Sequence, residues 1–107
     1  MKRLTKVERE NGIGYKALLI AKDGAGNVAR VTSPFTLARW DFDGNTWTLR
    51  AHMELVEDNS AGVYVTFDAK VVHKYWGKKC KVALSGKVII HECGARGEFA
   101  RLLEIEQ

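Results

Sequence analysis

Apolar and polar residues alternate along most of this chain, and clusters of Gly, Asp and Asn interrupt the alternation at short intervals. A period of two sends successive side chains to opposite faces of a strand, and the interruptions are the residues that tight turns demand. The chain is therefore restricted to antiparallel strands joined largely by hairpins.

The alternation is clearest in residues 47–55 and 63–71. Trp47, Leu49, Ala51, Met53 and Leu55 alternate with polar residues, as do Val63, Val65, Phe67, Ala69 and Val71 beyond the polar loop 57–62. Placing Leu55 opposite Val63 matches the two apolar sets and sets Arg50 opposite Asp68, so a hairpin in this register is expected. Asp43-Gly44 is a two-residue turn signal that would put Trp40 opposite Trp47. A turn at Trp76-Gly77 would pair Val71 with Val82 and His73 with Cys80. A loop at Ser85-Gly86-Lys87 would pair Leu84 with Val88, with Gly86 free to take a positive φ. These steps describe a five-stranded meander from about Phe35 to Glu92.

Ahead of the meander, Gly14–Lys22 and Val28–Thr32 flank Asp23-Gly24-Ala25-Gly26-Asn27 as a further hairpin, and Pro34 marks a change of direction. Thr5 and Glu8 have capping-box spacing and Gly12 is a stop, which fits a short N-terminal helix. Residues 98–106 carry both periods: Phe99, Leu102 and Leu103 fit a helix, and Phe99, Leu103 and Ile105 fit a strand, which is the preferred reading. The expected fold is mainly β, with about seven antiparallel strands in a hairpin and meander arrangement. To bury its apolar face such a sheet must curl into a small barrel, roll or sandwich.

At 107 residues, 46% apolar and 28% charged, the chain reads as a single domain, 1–107, and its composition excludes collagen-like and disordered classes. Its longest apolar run, Ala17 to Ala21, is too short for a membrane span or a signal-peptide core, so a cytoplasmic protein with no membrane partner is expected. Two cysteines, Cys80 and Cys93, make no disulfide framework and are read as free thiols.

The formal charge is +4, and Lys74, Lys78, Lys79 and Lys81 stand together with no acid among them. Tyr75 and Trp76 interleave with these cations, the combination with which single-stranded nucleic acid is stacked upon and neutralised. A nucleic-acid or polyanion site at Lys74, Tyr75, Trp76, Lys78, Lys79 and Lys81 is the leading expectation, beside the plainer reading of a lysine-rich solvated edge. An alternative is a β-barrel holding a small apolar molecule between Trp40, Trp47, Met53 and Tyr75. A protein-interaction or dimerisation module is a further reading. Val72, Ala83 and Ile89 form an outward apolar patch that a terminal segment or a second copy in a homodimer would cover.

A third arrangement follows from the expected registers. His73, Cys80 and Glu92 would lie side by side on three strands, with the ingredients of thiol catalysis but with no oxyanion donors. Asp41-Phe42-Asp43-Gly44-Asn45 opens like a calcium loop, yet Thr46 and His52 occupy the positions where glycine and glutamate are required. His91 and Cys93 lack further zinc ligands. Residues 23–27 and 94–97 lack the pattern of phosphate loops, although Arg96 has the charge to meet an anion. The expectation is a homodimeric, non-enzymatic binding module without catalytic residues, metal or cofactor.

Overall fold

The computed structural model describes residues 1–106, the Lys74 side chain apart. In chain order it contains α1 (Lys6–Glu10), β1 (Ile13–Lys22), β2 (Val28–Thr32), β3 (Asp41–Phe42), β4 (Trp47–Arg50), β5 (Val63–Thr66), β6 (Lys78–Ile90) and β7 (Gly94–Ile105), with 3-10 turns at Ala69–Val71 and Lys74–Trp76. All strand pairs are antiparallel. β1 pairs with β5, β5 with β7, β7 with β6, and β6 with β1 again, which closes a four-stranded barrel. β2, β3 and β4 lie outside this ring. No helix among the described residues is long and apolar enough to cross a membrane.

β7 organises the fold. One edge runs along β6, while the other takes β5 at Gly94–Gly97 and then β4 at Phe99–Arg101. Residues 98–105 are thus strand, and the alternation of Ala100 and Leu102 sends both into the core. Leu18, Val63, Val65, Cys80, Val82, Leu84 and Ala95 complete the barrel interior, with Val31 and Trp40 packed against it. A four-stranded ring leaves little internal volume, and Gly14 meets this constraint because a methyl group there would collide with Val65 and Thr66 across the seam.

Several local expectations hold. Thr5 caps α1: its hydroxyl accepts from Glu8 N, and Glu8 reaches back to Thr5 N, with Gly12 just past the end. The β1–β2 hairpin turns on Asp23, whose carboxylate accepts from Ala25 and Asn27. After Pro34 the chain reverses, with Leu37 N donating to Ser33 O and Ser33 N to Ala38 O.

The meander does not form as expected. β4 and β5 are not neighbours; each pairs with β7 instead, and residues 51–62 run outside the ladders. The alternation correctly gives the inward residues of 47–50 and 63–66, but it is equally compatible with a long C-terminal strand as partner. Arg50 therefore lies over the Phe99 ring, 5.4 Å from its centre, and Asp68 caps the Ala69–Val71 turn by accepting from Lys70 N. The Asp43-Gly44 hairpin exists with its register moved outward, pairing Phe42 with Trp47, which releases Trp40 into the core. The Trp76-Gly77 hairpin is replaced by the 3-10 turns, because β6 takes β1 and β7 as its partners. At Ser85–Val88 β6 continues through a bulge: Gly86 and Lys87 together face Glu98, and the positive φ of 72° at Gly86 bends the strand without ending it.

Candidate ligand-binding cleft

β1 and β5 share a single residue pair, Tyr15 with Thr66, and then separate. The separation opens a cleft of about 690 Å³, within the range of small-ligand sites. Lys16, Ala17 and Tyr64 line it from the parted strands, and residues 33–38, 51–53, 60–62 and 71–76 supply further lining through Pro34, Phe35, Met53, Val71, Val72 and Trp76. Phe35 is 72% exposed, Met53 66%, Val71 64% and Trp76 50%, so the apolar side chains here are open to solvent. Phe35 and Trp76 rest against each other with ring centres 4.7 Å apart.

The charged side chains that line this cleft, Lys16 and Arg50, are both cations. His52 and His73 stand beside them, and no aspartate or glutamate lines the cleft among the described residues. Lys16 projects from β1 on the face that carries Gly14 and Leu18, and its Nζ donates to the Tyr64 carbonyl at 3.0 Å. Burial holds its pKa below the ordinary lysine value, since the ammonium loses water and gains no carboxylate.

A loop forming part of the wall is tied down by Arg96. This side chain is only 6% exposed. Its Nη1 donates to Ala61 O at 2.8 Å and to Asn59 Oδ1 at 3.3 Å, Nη2 to Val56 O at 3.2 Å, and Nε to His91 Nε2 at 3.1 Å. Arg96 is thus occupied in holding residues 56–61 against β7 and is not placed to meet an external anion.

The residues singled out in the sequence are dispersed. Of the basic set, Lys81 Nζ lies 3.2 Å from Glu8 of α1, and Lys79 Nζ lies 3.5 Å from Glu106. Lys78 is exposed, Tyr75 is exposed and stacks on His73 at 4.6 Å, and Trp76 joins the cleft. The side chain of Lys74 lies outside the described residues. Of the alternative pocket, Met53 lines the cleft, whereas Trp40 is buried with its indole donating to Ser33 Oγ at 3.0 Å, and Trp47 packs on Phe42 at 5.2 Å. Tyr75 stands near this cleft's edge in sequence but is not part of its lining.

The His73, Cys80 and Glu92 group is not assembled. Lys16 and Ile105 are the register neighbours of Cys80, His73 sits between the 3-10 turns with Nδ1 accepting from Tyr75 N, and Glu92 is exposed between β6 and β7. Burial first, and the Glu106 charge second, push the Cys80 thiol up to about 12, which keeps it protonated and unreactive. Cys93 is exposed, and both cysteines are free.

Lys16 is the residue that sequence reasoning missed, and Arg96 is one whose role it misread: the arginine holds a loop and does not wait for an anion. The available signal for Lys16 was a lysine on the inward period of Gly14, Leu18 and Ile20, inside an otherwise apolar segment. For Arg96, the sequence shows only an arginine between small residues. Compared with models of protein families, with curated proteins and with solved structures, the chain matches none.

Proposed function

We propose that this chain is a non-enzymatic binding module whose cleft between β1 and β5 takes a small molecule with an apolar body. One observation carries the reading: the β1–β5 seam parts after a single residue pair, and the opening gathers exposed Phe35, Met53, Val71 and Trp76 into one concave surface. Contiguous apolar surface of this kind is unfavourable in water, and an apolar ligand removes it from solvent without requiring catalytic groups. The polyanion reading rests on Lys78, Tyr75 and Trp76, and it is weakened because Lys79 and Lys81 already face carboxylates.

The two readings separate in a titration with Nile red, a neutral apolar dye, and with a mixed single-stranded oligonucleotide, each at low and high salt. Saturable dye binding that is indifferent to salt, and weakened about tenfold or more when Phe35 and Trp76 are both replaced by serine, is the expected result. Oligonucleotide binding that fades at high salt, with no dye binding, would favour the polyanion reading and overturn the cleft.

A further inference from the structure

The cleft contains a charge that the protein itself leaves unanswered. Lys16 enters none of the ion pairs among the described residues, which join Lys6 to Glu10, Lys79 to Glu106 and Lys81 to Glu8. Its ammonium has three donors, and one of them is used by the Tyr64 carbonyl. A half-buried cation satisfied by a single neutral acceptor is costly, and the apolar walls around it strengthen any ion pair that a ligand would form there.

We propose that Lys16 is the anchor for a carboxylate group, so that the ligand of this cleft is an amphipathic monocarboxylate with its chain or ring along Phe35, Met53 and Trp76. This assignment rests on the cleft reading given above. A carboxylate can accept from the remaining Lys16 donors, and the absence of acidic residues from the described lining means that nothing in the wall opposes its entry. Arg50 also lines the cleft, but its guanidinium lies over the Phe99 ring and its side chain is exposed, where an ion pair is screened by water. A bare phosphate or a polyanion would leave the apolar wall uncovered, which is why a single carboxylate on an apolar body is the better complement.

The test compares octanoate with octanol, which share one chain and differ in the head group, by calorimetric titration at neutral pH. The wild-type protein should bind octanoate at least about tenfold more tightly than octanol. Lys16→Met should bring the two affinities together while leaving octanol binding within about twofold, and Arg50→Met should preserve the preference. Equal affinities in the wild type, or a preference that survives Lys16→Met, would overturn the anchor and leave the apolar cleft standing. Failure of both molecules to bind would remove the cleft reading and the anchor with it.

Discussion

Replacing Gly14 by alanine would drive a methyl group into β5. The added carbon would stand 2.7 Å from the Thr66 carbonyl oxygen and 2.7 Å from Val65 Cγ2, and two of the three nearest obstacles belong to the Val65 side chain at its branched, stiff end. The backbone of Gly14 is not in the left-handed region, so the effect is purely steric. β1 and β5 must then withdraw from each other at a seam joined by one residue pair. Overpacking costs about 1–3 kcal/mol, and a weakened backbone hydrogen bond adds about 1 kcal/mol, for a total of roughly 2–4 kcal/mol. In a domain of this size about 1 kcal/mol moves the thermal midpoint by roughly 4–8 °C, so a fall on the order of 10–30 °C is expected in a circular-dichroism melt. Gly24→Ala is the control, because nothing lies within 4 Å of its added carbon. A Gly14→Ala midpoint within about 2 °C of the wild type would refute the closure of the barrel at this seam.

Other consequences follow from individual side chains. Arg96→Met removes the groups that satisfy Val56 O and Ala61 O, and should cost about 2–4 kcal/mol in urea unfolding while exposing residues 56–61 to proteolysis; an unchanged midpoint would show that the arginine does not hold the loop. Under native conditions a thiol reagent should modify Cys93 quickly and Cys80 only on unfolding, since Cys80 is buried and its pKa is raised to about 12; two fast thiols would contradict the placement of β6. The lowered Lys16 pKa has a definite sign: the fold disfavours the charged amine, so its contribution to stability is best above the unfolded value of 10.5 and is lost as pH falls through the folded value. Lys16→Met should therefore raise the thermal midpoint at neutral pH, with the gain shrinking toward alkaline pH, and a variant less stable than the wild type at pH 7 would contradict the desolvation argument.

The parts of the fold that depend on neighbouring residues are legible in the sequence. The capping box at Thr5 and Glu8, the turns on Asp23 and Asp43 and the reversal after Pro34 are each decided by side chains within a few positions of the backbone groups they satisfy. Strand partnership is decided at longer range. Leu49 and Val65 carry the correct inward period, yet alternation specifies a face and not a neighbour, and β7 offers β4 and β5 a single continuous edge from about thirty to fifty residues away in sequence. The bulge at Gly86 resembles a turn for a related reason, because both need a residue that tolerates positive φ. The cleft arises from what β1 and β5 leave unpaired, so it has no local signature. Met53 and Trp76 were visible as candidates, whereas Lys16 gained its meaning only once Tyr64 was beside it.

Chemical-shift mapping tests most directly whether the cleft is the place where ligand meets protein. Octanol titrated into the uniformly nitrogen-15-labelled protein should produce saturating shifts in the amides of residues 51–53 and 60–64 and in the Trp76 indole, with little change along Lys78 to Lys81. Shifts confined to the β6 lysines, or no saturating shifts anywhere, would contradict it.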